Sequence, residues 1–426
     1  MYELTTLDNG LRILTVPMPH LQSVSLGFFL AVGSRYESEA VAGASHFIEH
    51  MLFKGTARWP TARDIAEAIE GKGGLFNAST GLELTLYWAK VAAAHLPQAL
   101  EVLSDMLLRA TFDPAEMEKE RAVIVEEINY SLDAPDSLAQ ILVSQLQWPD
   151  HPLGRDVAGT RQSVSGLSRD ALLAYLADHY RPNRTIVGLA GRVTHQQAVA
   201  LINSCLADWE PGPTTPCEPA PSDRRGPRLH VEFKTTEQAH LHFSFAGPSR
   251  CDPDQYGARL LNVILGEGMS SRLFQEVRER LGLAYDIESY VSTLQDAGTI
   301  GVYAGVSTAQ AEPAIRAILG ELDRLRQDPV SPDELEKARE FIRGRLALSL
   351  EDSFTVASWY AQQELLGPEV LGPEEVIARF EAIQATDIQR LAQTIFRPER
   401  LNLAVVGPFA DNGDRFRRAV YSLGRS

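Results

Sequence analysis

Apolar residues are spaced along this chain in two alternating rhythms. Residues 23–30, 83–89, 185–190, 239–245, 298–305 and 401–406 alternate or run apolar with β-branched and aromatic side chains, which is the pattern of strands. Apolar positions at helical spacing dominate 61–71, 94–109, 114–132, 136–147, 168–180 and 194–208, and again 254–265, 270–281, 309–327, 331–365 and 385–395. Two helix starts are marked by Pro60-Thr61 and by Phe112-Asp113-Pro114, where Asp113 is suited to the N-cap and Pro114 to the first turn. Mixed strands with segregated helices predict an α+β fold in which a mostly antiparallel sheet is covered by helices.

The pattern occurs twice. Tyr180-Arg-Pro-Asn-Arg-Thr-Ile-Val-Gly-Leu-Ala-Gly191 echoes Phe396-Arg-Pro-Glu-Arg-Leu-Asn-Leu-Ala-Val-Val-Gly407 at an offset of 216. Pro114-Ala-Glu-Met-Glu-Lys-Glu-Arg121 echoes Pro332-Asp-Glu-Leu-Glu-Lys-Ala-Arg339 at an offset of 218. Two echoes in the same order, at nearly one offset of about half the chain, predict two homologous copies of one unit. A Pro-rich stretch near the midpoint reads as the joint. The expected division is a first domain over 1–210, a linker over 211–228 and a second domain over 229–426.

Composition narrows the function classes. The chain has 426 residues, 44% hydrophobic and 23% charged, which suits a soluble globular protein of more than one domain. No run of about 18 apolar residues is present, so no membrane span is expected. The N-terminal residues carry no basic-then-apolar signal and no Arg-rich transit pattern, so the expected location is the cytoplasm. A net charge of −16 argues against nucleic acid as a partner and weakly favours basic ligands, although solubility alone explains most of it. Three cysteines with no Cys-x-x-Cys spacing suggest a reducing compartment and no zinc knuckle.

The candidate chemistry is concentrated in His46-Phe-Ile-Glu-His50. On a helix, residues i and i+4 share a face, so His46 and His50 can aim at one metal ion. Glu49 shares that face and can hold a water without being a ligand. Two histidines, a third ligand and a water in the open position make a catalytic zinc site, and the order His-x-x-Glu-His is the inverzincin signature. With 10 histidines and 56 acidic residues, such a triple arises by accident roughly 0.03 times per chain. The competing reading is a buried helix with two satisfied core histidines, and the apolar neighbours Phe47, Ile48, Met51, Leu52 and Phe53 fit it. That reading leaves no reason for a costly carboxylate among them.

A third ligand must come from another element. In the predicted helix over 114–132, Glu120 and Glu127 lie seven apart on one face, with Val123 and Ile124 between them on that side. Glu127 fits a ligand, and Glu120 fits an acceptor that orients a histidine ring. In the second copy the matching positions are Arg345 and Ala338. A solvated Glu-rich helix explains the segment about equally well, and Glu126, about 100° away, is a rival ligand.

These residues together resemble the M16 peptidase family, most nearly its mitochondrial and bacterial processing-peptidase branch, with pitrilysin and insulin-degrading enzyme further off. The family pattern is His-x-x-Glu-His followed about 77 residues later by a glutamate ligand, and here His50 to Glu127 is 77. The family stretch Glu-Arg-x-Val-x-x-x-Glu matches Glu120-Arg121-Ala122-Val123-Ile124-Val125-Glu126-Glu127 and selects Glu127 over Glu126. Gly73-Gly-Leu-Phe-Asn77-Ala78-Ser-Thr80, with Glu83, Thr85 and Tyr87, resembles the edge strand on which the family binds peptide as an added strand. Arg278-Glu-Arg-Leu-Gly-Leu-Ala-Tyr285 resembles the family's Arg-x6-Tyr element. The Gly-rich loop of the mitochondrial non-catalytic subunit is absent.

The resemblance, which covers essentially the whole chain, implies a zinc metalloendopeptidase built as half of a clamshell. It implies Zn2+ on His46, His50 and Glu127, with Glu120 behind a histidine and Glu49 as general base. Asn77 and Ala78 would grip the peptide backbone, and Tyr285 and Arg278 would act near the scissile carbonyl. The implied substrates are peptides or unfolded, presequence-like segments. The location stays cytoplasmic, in a bacterium. Insulin-degrading-type relatives are about twice as long and carry both elements in one chain, in opposite halves of the clamshell. Heterodimeric relatives divide them between two chains. A chain of this length with both elements is therefore expected to form a homodimer with two sites. The alternative is a non-catalytic scaffold or partner subunit, as in relatives that have lost the zinc residues; here none of them is missing.

Overall fold

The computed structural model describes residues 2–221, 227–410 and 413–420. Among these described residues eleven strands form two sheets. The first contains β1 (Glu3–Thr6), β2 (Arg12–Pro17), β3 (Ser23–Leu30), β4 (Leu75–Thr80), β5 (Thr85–Ala92) and β6 (Thr185–Gly191), in the order β1-β2-β6-β3-β5-β4. The second contains β7 (Arg228–Phe233), β8 (Gln238–Gly247), β9 (Ala284–Thr293), β10 (Gly298–Ser307) and β11 (Asn402–Gly407), in the order β7-β11-β8-β10-β9. Apart from β1, the two orders match strand for strand. Each sheet has one parallel pair, β2 with β6 and β7 with β11, and is otherwise antiparallel. The duplication inferred from the two sequence echoes is thus a duplication of topology, and the expected α+β class holds.

The interior of the first sheet is assembled as its sequence dictates. Val24, Leu26, Phe28, Phe29 and Leu30 on β3 and Ile186, Val187 and Leu189 on β6 are buried. These central strands are buried on both faces, so they read as apolar runs rather than strict alternation. The edge strand β4 alternates exposed and half-buried residues instead.

Two compact units emerge, and they differ from a linear division of the chain. One comprises Met1–Ile128, Arg155–Glu218 and Ala347–Gly372; the other comprises Asn129–Gly154, Pro219–Leu346 and Pro373–Ser426. In the first, helix Ser353–Leu366 lies on β2, β3 and β6, with Val356, Ala357, Tyr360 and Ala361 packed against Leu14, Phe29 and Ile186. In the second, helix Pro135–Gln147 lies on β7, β8 and β11.

The apolar periodicity of 331–365, expected as one helix, is divided into Pro332–Ser349 and Ser353–Leu366. The break is chemical. Asp352 caps the second helix by accepting from the Thr355 amide at 3.0 Å, and its other oxygen takes Lys90 Nζ at 2.5 Å.

The proline-rich segment expected as a linker over 211–228 is fastened where it is described, up to residue 221; residues 222–226 lie outside the described residues, and Arg228 already begins β7. Asn183 donates to the Gly212 carbonyl at 2.9 Å, Arg184 to that of Thr215 at 3.3 Å and Arg35 to that of Glu218 at 2.9 Å. Prolines remove donors but leave carbonyls, and these carbonyls are read by guanidinium and amide groups of the first unit.

Candidate metal and active site

His46, Glu49 and His50 sit on helix Ala44–Leu52, whose Phe47, Ile48, Met51 and Leu52 are fully buried. The N-terminus of this helix has no serine or aspartate cap. Gly43 takes that position with φ +91°, and a Cβ there would stand 2.7 Å from the Ala158 carbonyl oxygen, so only glycine fits. The orphan amides are met from a distance in sequence. Glu37 Oε2 accepts from the Gly43 amide and Oε1 from that of Ser45, both at 2.7 Å. Ser45 Oγ in turn donates to the Tyr175 hydroxyl at 3.0 Å. A carboxylate at a helix N-terminus satisfies amides and complements the macrodipole.

Glu37 is deeply buried, and burial pushes its carboxyl up to about 7, against the opposing pull of the Ser45 and Gly43 amides. The sign of the resulting pH effect follows. Below the unfolded value of 4.5 both states hold the proton. Between 4.5 and about 7 the unfolded chain releases a proton that the folded chain retains, so stability falls as pH rises, and the loss is complete above about 7. Its size is about 3 kcal/mol. Urea unfolding of the wild type and of Glu37→Gln is expected to show this as a difference between the two that changes by that amount from pH 4.5 to 7.5. A pH-independent difference would mean that Glu37 titrates alike in both states.

Helix Pro114–Asp133 supplies the facing carboxylates. His46 Nε2 and His50 Nε2 are 3.3 Å apart, and Glu127 Oε2 lies 3.7 Å from the first and 3.6 Å from the second. Among the described residues these three form a convergent metal-type cluster, and Glu126 is not part of it. Ligands about 2.0–2.2 Å from a tetrahedral centre stand about 3.3–3.6 Å apart, so the donor triangle has the dimensions of one face of a zinc site. Burial, with the neighbouring His50, pushes His46 down to about 4, which leaves a neutral ring of the kind a metal requires. The residues present therefore fit a zinc ion.

His50 Nδ1 is 3.0 Å from Glu120 Oε2, and Glu120 Oε1 is 2.7 Å from Lys54 Nζ. With the ring N–H directed at Glu120, the Nε2 lone pair faces the cluster. Glu120 is buried and Lys54 compensates it, whereas Ala338 occupies the corresponding place in the second unit. Lys54 was not singled out in the sequence. It lies just past the end of the histidine helix, where the i, i+4 rule of a helical face no longer applies, so spacing alone does not mark it.

Glu49 lies beside the cluster and outside it. Burial raises its carboxyl above the ordinary range, while a hydrogen bond donated by Thr80 Oγ1 to Oε2 and the neighbouring His50 oppose the rise. Thr80 ends β4, which is the edge of its sheet. On that strand Asn77 is exposed and its Oδ1 accepts from the Ala78 amide at 2.8 Å. The other residues named with this stretch serve the scaffold. Glu83 is buried in an ion pair with Arg35 at 2.6 Å, Thr85 Oγ1 donates to the Val32 carbonyl at 3.0 Å, and Tyr87 is fully buried with its hydroxyl 3.2 Å from that of Tyr180.

Arg278 and Tyr285 belong to the second unit. Arg278 lies in the π-helical segment Phe274–Arg280, and Tyr285 is the second residue of β9, 75% exposed. The guanidinium stacks over the Tyr285 ring at 5.5 Å and over Phe274 at 4.7 Å. The aromatic and the cation expected to act together are neighbours, and the phenol is open to solvent.

Residues 12–161 match the family model described as Insulinase (Peptidase family M16), and residues 166–342 match the model described as Peptidase M16 inactive domain. A protein of Streptomyces coelicolor called an uncharacterized zinc protease is 36% identical over 96% of this chain and 90% of its own length. The chain belongs to peptidase family M16. The uncharacterized zinc protease YmxG of Bacillus subtilis is equally similar, 36% identical over 95% of this chain and 97% of its own. Among solved structures, a protease from Helicobacter pylori superposes with a TM-score of 0.91, at 24% identity, over 96% of this chain and 99% of that one. A chain of complex III2 from Candida albicans superposes with a TM-score of 0.86 at 21% identity over 99% of both chains. The M16 fold is thus shared with an assembly as well as with a protease. Among the described residues of this M16 chain, no helix is long and apolar enough to cross a membrane.

Proposed function

We propose that this M16 chain is a zinc-dependent metalloendopeptidase that cleaves extended peptides or unfolded segments, working as a homodimer. The observation that carries the reading is the position of Glu49. It is a half-buried carboxylate beside three convergent donors, yet outside that set. A scaffold subunit has no need of such a group.

His46, His50 and Glu127 would hold the zinc, and Glu120 with Lys54 would keep the His50 ring turned toward it. Zinc in such a site supplies Lewis-acid polarisation of a carbonyl and brings a water's pKa toward neutrality. Glu49 accepts the proton of the attacking water and delivers it to the leaving amine nitrogen, so one carboxyl serves as base and then as acid. The peptide pairs with the free edge of β4 as an added strand, near Asn77 and Ala78, which holds the scissile bond at a fixed register. Tyr285, aided by Arg278, donates to the oxygen on which charge develops in the tetrahedral intermediate.

Strand addition requires an extended substrate, so a folded protein should resist. One protein substrate is to be incubated in its folded and its unfolded form, with and without a chelator. The expected result is cleavage of the unfolded form, its loss on chelation and its return on adding zinc. Equal cleavage of both forms counts against strand addition, and cleavage insensitive to the chelator counts against the zinc mechanism.

A further inference from the structure

The general base is held by a residue of the edge strand. Thr80 Oγ1 donates to Glu49 Oε2, and the side chains of β4 that share its face, Phe76 and Ala78, are half-buried. Phe76 packs on Phe53, which ends the histidine helix, at 5.5 Å between ring centroids. The strand is thus joined to the histidine helix at both ends, by an aromatic contact at one and by the Thr80–Glu49 hydrogen bond at the other.

Thr80 itself has little freedom. It pairs with Thr85 at the base of the β4–β5 hairpin. The turn beyond it is closed by the Gly81 amide on the Leu84 carbonyl at 2.8 Å. The same turn is held from outside by the Ser34 amide on Gly81 at 3.1 Å, the Arg35 amide on Leu82 at 2.9 Å and the Arg35–Glu83 pair. A Cβ on Gly33 would come within 2.2 Å of the Gly81 carbonyl oxygen, so the two segments are in direct backbone contact.

We propose that Thr80 is a positioning residue for catalysis: its hydroxyl fixes one oxygen of Glu49 so that the other is left to take the proton of the attacking water. The carboxylate accepts on two oxygens, and a donor on Oε2 removes the rotation that would otherwise let the base miss its target. Because the donor belongs to the strand proposed to receive the peptide, the base and the scissile bond are registered by one element. The inference rests on the peptidase reading above and adds a residue to it.

The test compares the zinc-loaded wild type with Thr80→Val, which keeps the shape without the donor, and Thr80→Ser, which keeps the donor. Zinc content and KM are expected to stay near the wild type in both. For Thr80→Val, kcat is expected to fall about 10- to 100-fold, the range of a misplaced catalytic group, and Thr80→Ser should recover most of it. A second readout needs no turnover. Thr80→Val is expected to lower the thermal midpoint when Glu49 is present and to leave it unchanged in a Glu49→Ala background.

Wild-type kcat in Thr80→Val overturns the inference. So does equal damage in Thr80→Ser, which would trace the effect to packing, and so does a loss of kcat that follows a loss of zinc. If Thr80→Val does not fold, Thr80→Ser together with Thr80→Ala carries the same comparison. Zinc-loaded wild type that cleaves no peptide overturns the peptidase reading and this inference with it, whereas cleavage by the wild type matched by Thr80→Val overturns this inference alone.

Discussion

Glu49→Gln is expected to bind about one zinc per chain and to lose at least about 10³-fold in kcat, a loss at the upper end of general acid–base catalysis. The two halves of this expectation have separate causes. Metal retention follows because Glu49 is not among the convergent donors, so the variant keeps His46, His50 and Glu127 intact. Loss of turnover follows because an amide has no basic oxygen for the water's proton, although it has nearly the same shape. The amide oxygen introduced by Glu49→Gln can still accept from Thr80, so the histidine helix and β4 remain joined. His50→Ala is the contrasting case. It removes a donor and leaves Glu120 and Lys54 facing each other without the ring beside them, so zinc and activity should vanish together. Zinc measured by elemental analysis, with peptide cleavage on the same preparations, separates the two patterns. Zinc lost from Glu49→Gln would make Glu49 a ligand, and turnover retained in it would move the base elsewhere.

Much of this site can be read from the sequence because helices bring a fixed spacing to a fixed face. His46, Glu49 and His50 are legible for that reason, and so is the pairing of Glu120 with Glu127, two turns apart. The residues alone offer the link between the two helices as one of two equal readings, and the family resemblance selects Glu127, since no local rule says which distant helix faces which. What the sequence conceals is held by groups far apart in the chain. Glu37 caps the histidine helix from outside it, and the only local sign is a glycine at the cap position. The edge strand β4 escaped the strand pattern because an edge exposes alternate residues and carries little apolar signal, and β9 escaped for the same reason. Fold class was legible from periodicity, and duplication from the two echoes. The membership of the compact units was not, because the chain crosses from one to the other inside helices Pro114–Asp133 and Pro332–Ser349, where the apolar periodicity runs on without a break.

The other large effect concerns assembly, and it is a gain of activity. If each zinc site is completed by Arg278 and Tyr285 of the partner subunit, two inactive variants should restore each other. Tyr285→Phe removes only a hydroxyl from a side chain that is 75% exposed and stacked by Arg278, so it should fold normally. Its expected loss is about 10²-fold, the scale of one donor to a developing oxyanion. In a mixed dimer of Glu49→Gln and Tyr285→Phe, two-fold symmetry gathers both defects into one site and leaves the other intact. Equal amounts associating at random give half mixed dimers with one working site in two, so about a quarter of the wild-type activity should appear from parents that have almost none. The measurement is peptide cleavage after co-refolding or subunit exchange, with differently tagged chains copurified to prove that mixed dimers formed. A Tyr285 acting on the zinc site of its own chain gives a different outcome: every site in the mixture then carries one defect, and activity stays at the level of the parents. Mixed dimers present and activity absent would therefore reject the shared site while leaving zinc, Glu49 and the peptidase reading untouched.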